Sequence, residues 1–230
     1  MKPQPIALKV LNVVTAILFL VALGMVFLYA PLEATMNYVQ KIFYFHIANA
    51  WVGMLGFVAA AVAGVIYLVK HDLKWDIIEL AAVEISLVFF FIAIVTGSIW
   101  ARPSWGTYWT WEPRLTTAAI LELVYFAYLL LRQGIDDPDR RARFSAVYTL
   151  IGAISVPITF VSIRLFRTIH PVVIGTNSSA AQGGFDMTSK MLVTMFFALL
   201  TFSVIFITLF WHRIRLGQLA HHLEELKLEE

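Results

Sequence analysis

Four of the seven tryptophans of this chain fall within one short stretch, Trp100-Ala101-Arg102-Pro103-Ser104-Trp105-Gly106-Thr107-Tyr108-Trp109-Thr110-Trp111-Glu112-Pro113-Arg114-Leu115. Tryptophan and tyrosine collect where a membrane meets water, because one end of the ring system is apolar and the other can hydrogen-bond. An ordinary aromatic belt spreads them over all helix ends. Packed into one loop with Gly106 and two prolines, they suggest a platform of flat faces for a flat, apolar ligand with polar edges.

Histidine is the next informative residue type. The chain has no cysteine, so disulfide, thiolate ligand and thiol nucleophile are all excluded. Histidine is then the leading candidate for holding a metal. His71, His212, His221 and His222 fall at one end of the apolar segments, whereas His46 and His170 fall at the other, on the side of the tryptophans. Taken singly, each of those two reads as an interfacial residue satisfied by water or a carbonyl; their shared side with the aromatic platform favours a ligand role. Two imidazoles on such a ledge suit an iron porphyrin, with axial nitrogens on its two faces, indoles over the macrocycle and cations at the propionates. Arg102, Arg114, Arg164 and Arg167 are candidates for that last task, since guanidinium binds carboxylate through a planar fork. Snorkelling toward lipid headgroups explains any single one equally well. Arg114 is the first choice because it lies within the tryptophan loop.

The elements that position these residues follow from composition. A chain of 230 residues that is 60% hydrophobic, with mean hydropathy +0.79, has more apolar surface than a soluble core can hide. It reads as an all-α polytopic membrane protein, one integral domain over 1–230 in contact with membrane lipid. Six apolar segments of about 20 residues, the length that crosses a bilayer, lie at 10–30, 47–69, 77–100, 115–131, 144–163 and 191–211. The first is too long for a signal-peptide core and lacks a small-x-small cleavage site, so it is expected to be a retained anchor. Six crossings place both termini on one side. That side carries eleven Lys and Arg against six on the other, which predicts cytoplasmic termini and an outward tryptophan loop, 101–116.

A net charge of +2 argues against a nucleic-acid partner, which would ask for a basic face. The loop 171–190, with Asn177-Ser178-Ser179 and Gln182-Gly183-Gly184, is either a partner contact or slack. The tail 212–230 alternates Leu216, Leu219, Leu223 and Leu226 with charges, giving an apolar stripe that suits either the inner leaflet or a cytoplasmic partner. Glu84 and Glu122 lie inside spans at depths too different for them to pair. Each reads as a protonated carboxyl bonded between helices, or as a functional polar contact.

The run Trp105-Gly106-Thr107-Tyr108-Trp109-Thr110-Trp111-Glu112-Pro113-Arg114-Leu115-Thr116 resembles the signature WGxxWxWDxRLT of the tryptophan-rich haem-handling membrane proteins. The six-span length, with His46 after Phe43-Tyr44-Phe45 and His170 after the fifth span, is similar to the cytochrome c maturation protein C branch. The resemblance implies a non-enzymatic protein of the bacterial cytoplasmic membrane. It would hold haem b at the outer face and deliver it to a periplasmic haem chaperone during c-type cytochrome biogenesis. It further implies that Trp105, Gly106, Tyr108, Trp109, Trp111, Glu112 and Arg114 line the haem and that His46 and His170 are its axial ligands. The partners implied are the permease and ATPase subunits of an ABC-type transporter and a small accessory membrane subunit. Two positions depart from the pattern: the usual Asp is Glu112, and Pro113 follows it. Proline suits the first turn of a helix, whereas Glu is a poorer N-cap than Asp, so Pro113 is expected to compensate for a weak cap. The rival from another class is a membrane b-type cytochrome subunit carrying out electron transfer, which generally holds haem within the bundle between facing helices.

Overall fold

A computed structural model describes residues 3–173 and 187–228. The segment 174–186, which holds most of the expected outer loop, and the last two residues of the tail lie outside the described residues. Helices account for nearly everything else: α1 (Ile6–Gly24), α2 (Ile42–Lys70), α3 (Leu73–Trp105), α4 (Pro113–Gln133), α5 (Pro138–Ala153), α6 (Ser155–Leu165) and α7 (Ser189–Leu228). Among the described residues extended pairing is confined to single bridges, one between Glu33 and Asn37 and others at Thr168 and Val172. Six helical stretches are long and apolar enough to cross a membrane, α5 and α6 counting as one. The chain is an all-α polytopic membrane protein.

The helices end where local chemistry says they must. Proline has no N–H to give the carbonyl one turn back, and Pro157 accordingly coincides with a break at Ile154 that splits the fifth span into α5 and α6. The Ser155 hydroxyl donates to the Gly152 carbonyl at 2.5 Å across that break. Asp72, Glu112 and Asp137 each cap a helix, accepting from Lys74, Leu115 and Arg140 backbone N–H groups respectively.

α2 is the central post, packed on α3, α5 and α7. Phe57 on α2 stacks on Tyr125 of α4 at 3.8 Å between ring centres and meets Phe90 of α3 edge-on at 6.0 Å. α1 and α4 are peripheral, and Val13, Ile17, Leu20, Ile120, Leu123 and Phe126 remain exposed to whatever surrounds the bundle. α1 and α7 run antiparallel, tied by Thr15 to Thr208 (2.7 Å) and Asn12 to His212 (2.8 Å), so both termini lie at one end. Glu84 forms an ion pair with Arg213 of α7. The Oε2 atom of Glu122 has no partner among the described residues.

Candidate ligand pocket at the end opposite the termini

The pocket is assembled from the first turns of α2, the last turns of α3, the junction before α4 and the segment after α6. His46 sits just inside α2, and its Nδ1 lies 2.8 Å from the Ala93 carbonyl of α3. A carbonyl can only accept, so Nδ1 carries the proton and Nε2 keeps its lone pair. Gly97 makes room for this ring. A Cβ there would fall 2.7 Å from His46 Cε1 and 2.9 Å from Nδ1.

His170 follows α6 in a stretch without helix. Its Nδ1–H donates to the Pro171 carbonyl at 3.1 Å, which again leaves Nε2 as the basic nitrogen. Burial, the Arg114 guanidinium and the neighbouring His46 together push the His170 imidazolium down to about 3, so the ring is neutral at ordinary pH. The centres of the two imidazoles are 6.4 Å apart, with their planes inclined at 44°. Among the described residues no group of three or more histidines and carboxylates could hold a metal ion.

Between and below the histidines lies a cavity of about 280 Å³, lined almost wholly by apolar atoms. Along α2 it is walled from His46 down to Met54, about 12 Å at 1.5 Å per residue. Trp100, Trp105, Trp109, Arg114, Arg164 and Phe160 also line it. Trp105 meets His170 edge-on at 6.4 Å and Trp100 at 5.6 Å. The indole N–H groups of Trp100 and Trp109 are buried without a partner among the described residues. Buried donors are paired in the great majority of cases, so two in one cavity point to an acceptor beyond the described residues.

The expected site residues therefore divide. His46, His170, Trp105, Trp109 and Arg114 come together around the cavity. Gly106, Tyr108 and Trp111 do not line it: Gly106, at φ 76°, closes α3 in the left-handed region that favours glycine, and Trp111 is 76% exposed. The tryptophan loop is also shorter than 101–116, because α3 continues through Trp105 with Pro103 in its last turn. Of the arginines, Arg114 and Arg164 line the cavity, whereas Arg102 is exposed, donates to the Gly106 carbonyl and lies over Tyr108. Arg114 also donates to the Thr159 carbonyl of α6.

Glu112 is a better cap than its side-chain length predicts. Its Oε1 accepts from the Leu115 N–H at 2.8 Å while Pro113 occupies the first helical position, so no weak cap is left for Pro113 to offset. Its Oε2 accepts from the Thr168 hydroxyl. Gly97, Trp51 and Thr168 are residues around this site that sequence reasoning missed. For Gly97 a signal existed: a glycine on the face of a span that also carries Ala93 and Trp100 marks a close approach.

The family model described as heme exporter protein C matches residues 4–229. The heme exporter protein C of Bradyrhizobium diazoefficiens is 35% identical over 218 residues, 93% of this chain and 80% of that protein. That of Escherichia coli K12 is 34% identical over 142 residues, 62% of this chain and 58% of that protein. That of Rhodobacter capsulatus is 34% identical over 128 residues, covering 56% and 53%. With a match that takes in all seven helices and every wall of the pocket, this chain belongs to the heme exporter protein C family.

Proposed function

We propose that this protein holds haem b at the outward end of its bundle, with His46 and His170 as axial ligands, and hands it to a soluble haem chaperone during c-type cytochrome biogenesis. The carrying observation is the imidazole pair. A metal–imidazole bond is about 2 Å and each ring nitrogen lies about 1 Å from its ring centre, so rings on opposite faces of one metal have centres about 6 Å apart. The pair here is at 6.4 Å, and both Nδ1 atoms are committed to carbonyls, the arrangement that fixes a ligating histidine in its Nε2-basic tautomer.

The rest of the pocket fits the same group. Its apolar depth suits the hydrocarbon edge of a porphyrin, and the unpaired N–H groups of Trp100 and Trp109, with Arg114 and Arg164, suit the carboxylates at the other edge. Bound haem supplies the redox-active iron; the chain supplies placement, axial nitrogens and shelter from water. Exposed Tyr108 and Trp111, outside the cavity, give an aromatic face for a docking partner. The excess of Lys and Arg at the termini end supports the outward orientation. Transporter permease and ATPase subunits and a small accessory membrane subunit are the further partners of this reading.

The test is a transfer experiment. Haem-loaded protein in detergent should show a low-spin Soret band, and addition of the apo-chaperone should move the haem into the chaperone fraction. A band that survives both chaperone addition and cycles of reduction and reoxidation would make the protein a b-type cytochrome and overturn delivery. A second measurement probes the pocket itself. Gly97→Ala should push the His46 ring off its carbonyl and weaken haem binding by roughly tenfold or more, the scale expected when a ligand's outer support is lost. Haem affinity equal to that of the parent would mean that His46 does not need its present position.

A further inference from the structure

His170 lacks the support that His46 enjoys. His46 is carried by a long helix, whereas His170 lies in a stretch where no helix fixes the backbone. Something else must hold it. Its backbone N–H donates to the Thr168 hydroxyl oxygen at 3.0 Å, and Thr168 is 4% exposed. A hydroxyl has one proton to give, and a carboxylate can only accept. The order of donation is therefore fixed: His170 N–H to Thr168 Oγ1, and Thr168 Oγ1–H to Glu112 Oε2. The other carboxylate oxygen takes the Leu115 N–H in the first turn of α4 at 2.8 Å.

A simple N-cap needs one oxygen. Here the second oxygen reaches across to the segment after α6, so one side chain ties the start of α4 to the backbone of His170. Arg114, two residues beyond Glu112, lines the same cavity. The Glu112 side chain is half-buried, where water competes less for its hydrogen bonds.

We infer that Glu112, acting through the Thr168 hydroxyl, is a positioning residue that sets where the His170 ring stands over the cavity. The inference rests on the reading of His170 as an axial ligand. Removing the hydroxyl would leave His170 in place in the sequence but free to drift, so the bond from iron to this side would weaken while the His46 side is unchanged.

The test uses the full chain in detergent with added haem, read by equilibrium haem binding and by the low-spin ferric EPR signal. Thr168→Val should lower haem affinity roughly tenfold or more, the range for losing an outer-shell partner, and convert part of the low-spin signal to high-spin. Thr168→Ser, which keeps the hydroxyl, should match the parent. Glu112→Asp keeps a good cap but is one methylene too short to serve both partners, so it should give the same spectral shift. In that background Thr168→Val should add little, a non-additive cycle. Parent-like affinity and spectrum in both Thr168→Val and Glu112→Asp, while His170→Ala loses the low-spin signal, would overturn the positioning role alone. A parent-like signal in His170→Ala would overturn the axial reading, and the positioning role with it.

Discussion

His46→Ala and His170→Ala should each abolish the low-spin signature of bound haem and weaken binding beyond the roughly 10–100-fold that loss of an outer-shell partner costs. Each ring has its Nδ1 fixed by a carbonyl, each lines the same cavity, and His170 is held neutral by burial and by Arg114. With no cysteine in the chain, a substituted site has no thiolate to fall back on. The space left by the lost ring matches imidazole, so added imidazole should restore the low-spin spectrum in either variant. His71 serves as the control. It caps α2 at the opposite end with φ 53°, a conformation asparagine tolerates, so His71→Asn should leave the spectrum as it was. Unchanged spectra in both His46→Ala and His170→Ala would rule out bis-histidine ligation.

Much of this arrangement is legible in the sequence for a simple reason. A membrane allows few solutions to backbone hydrogen bonding, and uninterrupted apolar runs must become helices. The six spans and the shared side of His46 and His170 follow from that constraint, and the place of Pro113 in the first turn of α4 follows from its missing N–H. The parts that were not legible depend on contacts between distant residues. Glu84 finds Arg213 on a helix far along the chain, and nothing in its neighbourhood announces that partner. Thr168 is an ordinary residue in an irregular stretch until it is seen between Glu112 and His170. The expected weak cap at Glu112 treated side-chain length as a penalty; the folded chain uses the extra reach to bond two elements at once. The tryptophan loop is shorter than the expected 101–116 because α3 runs on through Pro103 to Trp105. In the last turn Pro103 only forgoes a donor, and the left-handed residue that ends α3 is Gly106.

The far end of the bundle carries the largest expected effect on stability. Arg132, 8% exposed, forms a two-pronged ion pair with Asp76, 6% exposed; Nη2 donates to Oδ2 at 2.8 Å. Arg132 also donates to the Ser145 hydroxyl at 2.9 Å, and the Tyr128 hydroxyl donates to Glu79 at 3.1 Å. This network joins α3, α4 and α5 at the end where the termini lie. Removing one member of a buried pair strands the other charge, which typically costs about 3–5 kcal/mol, whereas replacing both with apolar side chains of similar size is often neutral or better. Asp76→Leu and Arg132→Met should therefore each lower the unfolding midpoint sharply in detergent, and the two combined should recover most of the loss. Asp76 is roughly 30 Å along α3 from Gly97, so the folded fraction of every variant should keep the parent haem spectrum. Additive losses in the combined variant would show that the two charges are not stabilising each other. A changed spectrum in the folded fraction would show instead that the network is coupled through α3 to the histidine pocket.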